Sequence, residues 1–159
     1  VTDAIPCPRC RKLKAYPGYC SECESRDAEA ERDTESVTLV LPLPPRVLSP
    51  NRPPASRGGR MKKAAAAKRY RRLAMGATVA EGIDTAPWKK ATVEARFFHA
   101  QKRRRDDVNH LAMLKPAYDG IVDAGLLEDD DSTHLTTVPA SFHIDKECPR
   151  VELTVTREA

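Results

Sequence analysis

The sequence predicts a small mixed-sheet α/β domain, with elements in the order β-α-β-α-β-β, preceded by a separate cysteine-built module. Three observations predict it. Short β-branched and apolar runs recur at residues 37–41, 91–98, 135–138 and 151–155, and two stretches of helical character lie between the first three. That alternation is the pattern of helices laid against a sheet. The length of 159 residues holds one domain of ordinary size plus a small appendage. Finally, four of the five cysteines fall within the first 23 residues, away from the strand and helix pattern.

The appendage, residues 1–25, is read from Cys7-Pro8-Arg9-Cys10 and Cys20-Ser21-Glu22-Cys23, two CxxC pairs separated by nine residues. Each CxxC turn can aim two thiolates at one ion, and two such turns complete a tetrahedral shell around zinc. Pro17-Gly18 between them is a turn signal that lets the chain double back. Disulfides are the competing explanation, but thiols stay reduced in the cytosol, where this protein is expected to reside. A zinc-ribbon or knuckle-like module with Cys7, Cys10, Cys20 and Cys23 as ligands is therefore expected, its folding free energy supplied by the metal. Cys148 stands apart as a spectator thiol. Residues 26–36 are rich in acids, Arg and Ala, and read as a charged linker to the domain at 37–159.

Within that domain, Val37-Thr38-Leu39-Val40-Leu41 is a strand stopped by Pro42, Pro44 and Pro45. Residues 46–60 are too rich in Pro, Gly and Arg for regular structure and read as a long basic loop. A helix over 61–80 follows, built on Ala64 to Ala67, with Lys62, Lys63, Lys68, Arg69, Arg71 and Arg72 on its surface. Residues 91–98 form a second strand. Leu114, Tyr118, Ile121 and Val122 share one face of a second helix, whose start Pro116 places near 113–115 and whose end Gly125 marks. Residues 135–138 and 151–155 are two closing strands, with Val151, Leu153 and Val155 on one face.

Net charge is +4, but it is unevenly spread. Residues 46–105 carry 17 Lys or Arg against 3 acids, and residues 106–159 carry 4 against 12. A basic block beside an acidic one suits a protein that grips a polyanion and gathers carboxylates for metal ions. No apolar run approaches the roughly 18 residues of a membrane span, and the N-terminus lacks the basic-then-apolar signature of a secretory signal. A cytoplasmic protein with no membrane partner is expected.

Several residues carry a resemblance. Leu41-Pro42-Leu43-Pro44-Pro45 after the first strand, Arg103-Arg104-Arg105-Asp106, Asn109, the helix with Lys115 and Asp119, Ala124-Gly125, Asp129-Asp130, and the terminal Val151-Glu152-Leu153-Thr154-Val155 follow one another in an order similar to RusA-type Holliday junction resolvases. The resemblance covers about residues 37–157 and leaves the cysteine module outside. It implies a homodimeric, magnesium-dependent (or manganese-dependent) endonuclease that nicks paired strands of branched DNA in a bacterial or phage-infected cell. In the family an Asp-x-Asp-Asn motif and a later Asp bind the metal while a Lys on the next helix assists. By that resemblance Asp106 takes the first position, Asn109 the asparagine, Lys115 the lysine and Asp130 the later aspartate, with Asp129 supporting. The second aspartate position is Val108, so Asp107 is the candidate to replace it, and about three residues are added between Asn109 and Lys115.

The residues themselves allow the same chemistry. Magnesium takes carboxylate and water oxygens, and Asp106, Asp107 and Asp130 are the candidate ligands. Arg103, Arg104 and Arg105 would bring phosphate to them, together with the cations of the first helix and Arg60. Taken alone, Asp129-Asp130-Asp131 reads as a solvated loop, His110 and His134 as packing residues, and Asp119 and Asp123 as exposed or structural. Competing expectations are a zinc-containing branched-DNA-binding protein with an inactive nuclease site, a nuclease for other branched or packaging DNA, and an RNA-binding zinc protein. The scarcity of aromatics for stacking on unpaired bases speaks against the last.

Overall fold

A computed structural model describes residues 35–82 and 86–158, together with the short strands β1 (Ile5–Pro6) and β2 (Leu13–Lys14). The chain divides into two units, Val1–Glu35 with Ala159, and Ser36–Glu158. In the first, β1 and β2 pair antiparallel, Ile5 opposite Lys14 and Pro6 opposite Leu13. The four cysteines expected to bind zinc, Cys7, Cys10, Cys20 and Cys23, lie outside the described residues.

The second unit is a mixed five-stranded sheet with helices. Its strands are β3 (Ser36–Leu41), β4 (Ala91–His99), β5 (Leu135–Thr137), β6 (Ser141–Ile144) and β7 (Arg150–Arg157). Spatial order is β3-β7-β4-β5, with β6 also beside β4. The β3–β7 and β7–β4 pairs are antiparallel, whereas β5 and β6 run parallel to β4 along its first and last residues. Pro139 separates β5 from β6, because proline cannot donate to the ladder. The α/β class and the mixed sheet are as the sequence predicts.

Alternation explains which face is covered. Val37, Leu39 and Leu41 of β3, Ala91, Val93, Ala95 and Phe97 of β4, and Val151, Leu153 and Val155 of β7 all turn inward. The other face is polar: Thr38 bonds Thr154 across the strands at 3.1 Å, Arg96 pairs with Glu152 at 3.3 Å, and the Arg150 guanidinium lies 4.0 Å over the Phe98 ring.

The inward face shares one core with α1 (Arg57–Ala80) and α3 (Lys115–Asp123). Tyr70, Ala74 and Thr78 form the buried stripe of α1, at the four-residue spacing of one helix face. The Tyr70 hydroxyl donates to the Pro42 carbonyl at 2.8 Å and so ties α1 to the end of β3. Where α1 and α3 meet, Gly120 lets the backbones approach: a Cβ there would overlap the Arg71 carbonyl oxygen and lie 3.0 Å from the Ala74 methyl. Asp123 accepts both guanidinium branches of Arg71, and Asp119 stands 3.9 Å from the same group. The two acids read from the sequence as exposed or structural thus join the helices.

Gly125, with φ at 81°, ends α3. The chain then passes Trp88, whose fully buried ring anchors the return: Trp88 N–H donates to the Leu126 carbonyl at 2.8 Å and Glu128 N–H to the Trp88 carbonyl at 3.1 Å. These bonds fix the position of the acidic stretch 128–131.

Several expectations need correction. The first helix begins at Arg57 and not at 61, because the Ser56 hydroxyl accepts from Gly59 N–H at 3.1 Å and caps it despite Gly58 and Gly59. The stretch expected to lack regular structure contains a 3₁₀ turn, Arg46–Leu48, pinned by buried Leu48. A further helix, α2 (Asp107–Met113), and the strand β6 occupy segments for which the sequence predicts no element.

Candidate functional site

The expected site residues gather around α2. Asp106 ends the connection from β4 and caps α2: its carboxylate accepts from Asn109 N–H at 3.3 Å and from the Asn109 side-chain amide at 2.7 Å. Asp107 lies in the first turn and accepts from Val108 N–H at 2.9 Å. Val108 itself is 70% exposed, an apolar side chain in water where the family pattern has a carboxylate. His110 Nδ1 is 2.7 Å from the Asp106 carbonyl oxygen. A carbonyl only accepts, so Nδ1 carries the proton. The His110 ring stands edge-on to Phe97, His99 and Phe142.

The second half of the set lies beyond the other end of α2. Lys115 opens α3 and is ion-paired with Asp130, with Asp119 at 3.3 Å. Burial works to lower the proton affinity of the Lys115 ammonium, but hydrogen bonds to Asp130 and Asp119 outweigh it and hold the pKa above its ordinary value. Asp129 accepts from Asp130 N–H at 2.7 Å, a contact that orients the backbone. Asp131 binds Thr133 and His134 and shapes the turn into β5.

The structure therefore brings Lys115 to Asp130, and Asp106 to Asn109, without joining the two sets. The seven residues of α2 separate them, about 10 Å at ~1.5 Å per residue. Among the described residues no group of three or more His, Cys, Asp or Glu is placed to hold a metal ion.

Two basic grooves flank this region. One, of about 510 Å³, is walled by Arg46, Ser49 and Arg52 on one side and by His99, Gln101, Arg103, Arg105 and His110 on the other. Gln101 braces the guanidiniums: its side-chain oxygen accepts from Arg103 at 2.9 Å and its carbonyl from Arg105 at 2.8 Å. Burial, then the nearby charges of Arg103 and Arg46, push the Arg105 pKa down. The second groove, of about 490 Å³, carries Arg60, Lys63 and Lys115 against Leu48, Pro50 and Pro54.

The long helix contributes unevenly. Arg60, Lys62, Lys68, Arg69 and Arg72 are exposed, and Lys63 is half-buried with its ammonium 3.5 Å from the Ser49 carbonyl. Arg71, expected among the phosphate-facing cations, is instead held by Asp123. Arg104 is exposed outside both grooves. Sequence reasoning missed Arg46, Arg52, His99 and His110 as groove-lining residues. Basic character in the loop was the only signal for the two arginines, and nothing marked the histidines.

No protein-family model and no curated protein matches this chain. Among the described residues no helix is long and apolar enough to cross a membrane.

His99 gives a pH prediction. Burial foremost, then Arg105 and His110, press its pKa from 6.5 to about 4, so it is neutral at pH 7. An unfolded histidine binds its proton more readily, so the stability from keeping His99 neutral is full above about pH 6.5. It is lost as pH falls toward about 4. The buried Nε2 has no hydrogen-bond partner among the described residues, and the ring stacks near Phe97 and Phe142. His99→Phe is expected to narrow the difference between urea midpoints at pH 7.5 and pH 4.5. An unchanged difference would locate the acid sensitivity elsewhere.

Proposed function

We propose that this chain is a RusA-type, structure-selective DNA endonuclease that nicks paired strands of Holliday junctions or related branched DNA. The contact between Lys115 and Asp130 carries this reading. The two lie fifteen residues apart, and the resemblance to RusA-type resolvases puts both in one site. Lys115 also lines a basic groove, where its ammonium can meet phosphate. The Asp106–Asn109 pair at the end of an arginine-bearing connection adds support.

The carboxylates stand in two sets. That arrangement suits a cation that takes one or two protein oxygens and completes its octahedron with water and phosphate, not one enclosed in a protein cage. Asp106 with Asp107, or Asp130 beyond the other end of α2, would hold magnesium or manganese, which would polarise the phosphate and ease deprotonation of the attacking water. Lys115 neutralises charge growing on the phosphoryl oxygens. Arg103 and Arg105 draw the backbone in. A homodimer would present two such sites, related by two-fold symmetry, to opposing strands. Zinc on Cys7, Cys10, Cys20 and Cys23 belongs to the same proposal as a structural ion.

A labelled four-way junction incubated with magnesium tests the reading: paired, symmetric nicks are expected. Tight binding without cutting, in magnesium or manganese, would overturn it in favour of a zinc-containing branched-DNA-binding protein with an inactive site. The exposed apolar Val108 specifically favours that second reading. Val108→Asp separates the two further. The side chain is in water, so the change should move the melting temperature little, and it should lower the magnesium concentration needed for half-maximal cutting. No change in that concentration would mean that position 108 does not face the metal.

A further inference from the structure

The two basic grooves share a wall. Arg46, Ser49 and Arg52 face the first, while Leu48, Pro50 and Pro54, from the same stretch of chain, face the second. No acidic side chain among the described residues lines either groove. Lys115 is paired with Asp130 and Asp119 outside the lining, but the other cations have no acid within either groove. Charge gathered in this way raises the free energy of the empty groove, which a polyanion relieves.

The wall is stiff. Pro44, Pro45, Pro50, Pro53 and Pro54 restrict its backbone. Leu48 is buried beneath it, and successive turns close by Leu48 N–H to Pro45 O at 2.9 Å, Ser49 N–H to Arg46 O at 3.2 Å and Arg52 N–H to Ser49 O at 3.2 Å. Little ordering entropy remains to be lost on binding. Each groove has the volume of a small-ligand site, the scale of a nucleotide and not of a duplex. Neither offers the row of exposed aromatics on which unpaired bases stack, so recognition falls to the backbone phosphates.

We propose that residues 46–54 form a ridge at which a DNA duplex parts, one strand passing into the groove of Arg46, Arg52, Arg103 and Arg105 and the other into the groove of Arg60, Lys63 and Lys115. A linear duplex keeps its strands at fixed separation and cannot seat one in each groove. A branch point can. Selectivity for branched DNA then resides in the ridge and its two grooves, independent of metal. This inference rests on the DNA-binding part of the proposed function and not on cleavage.

The experiment measures fluorescence anisotropy of the full chain without added divalent metal, on a splayed fork, a linear duplex and a single strand of matched sequence. Wild type is expected to bind the fork at least tenfold more tightly than the duplex. Arg46→Ala/Arg52→Ala and Arg60→Ala/Lys63→Ala change only exposed or half-buried cations, and circular dichroism checks that both variants stay folded. Either pair should weaken fork binding at least tenfold and duplex binding less than threefold, which removes the preference. Arg72→Ala, exposed on α1 but outside both grooves, should weaken both substrates alike. Equal wild-type affinity for fork and duplex, or groove variants that weaken both by one factor, would overturn the ridge. A protein that shows the expected preferences yet never cuts junctions keeps the ridge and loses the nuclease. One that cuts junctions while its groove variants retain fork preference does the reverse.

Discussion

Gly120→Ala should lower the stability of the sheet-and-helix unit by about 1–3 kcal/mol or more, the range for forcing extra atoms into a packed interface. Alanine ordinarily favours a helix over glycine by about 1 kcal/mol, so local propensity predicts the opposite sign. Packing prevails because the added methyl would overlap the Arg71 carbonyl oxygen, a backbone atom that cannot swing aside, and would crowd Ala74 and the Met75 amide nitrogen. Relief requires α1 and α3 to move apart, and that movement would strain the Arg71–Asp123 pair and open space around Ala117 and Ile121. The check is thermal unfolding, where each kcal/mol shifts the midpoint by about 2–8 °C for domains of this size class. Gly76→Ala on the solvent side of α1, where a Cβ meets nothing within 4 Å, serves as the control and should be neutral or stabilising. If both changes stabilise, the close approach of α1 and α3 is wrong.

The second large effect concerns catalysis. Asp130→Asn and Lys115→Ala should each reduce junction cleavage by about 10²-fold or more, the usual scale for removing a group that stabilises transition-state charge. Stability should change little in Asp130→Asn but fall in Lys115→Ala, which leaves the Asp130 carboxylate, 11% exposed, without its ion-pair partner. In Asp130→Asn the ammonium still has Asp119 at 3.3 Å. Single-turnover cleavage measured alongside melting curves separates a chemical loss from a folding one. Lys115→Arg distinguishes the roles: if the site needs a compact ammonium, arginine will not restore cutting, because its planar fork fits the Asp130 carboxylate differently. Cleavage unaffected by Asp130→Asn would remove the acidic stretch 128–131 from the site and leave Asp106 and Asp107 to carry the metal.

The strands were legible because each buries one face. Val37, Leu39 and Leu41, or Val151, Leu153 and Val155, alternate with residues that face the polar side, and that period appears in one dimension. The second helix was legible from its apolar stripe and from the Pro116 and Gly125 that bracket it. α2 was not. It has seven residues, a polar first turn and Val108 facing water, so no periodicity marks it; Asp106 capping, the burial of Met113 and the His110 ring against Phe97 decide it. β6 was missed for a related reason: four residues, two half-buried and two exposed, form a strand only because β4 offers a partner more than forty residues earlier.

The sequence by itself determined the α/β class, the inward face of each main strand, the helix that Gly125 ends and the segregation of charge. These depend on residue type and near-neighbour spacing, which the chain order contains. Only the tertiary structure decided that Asp123 pairs with Arg71, that Lys115 reaches Asp130, and that a proline-stiffened segment divides the cations into two grooves. Each of these depends on which distant segments the core brings within a few ångströms of one another, and packing sets those distances.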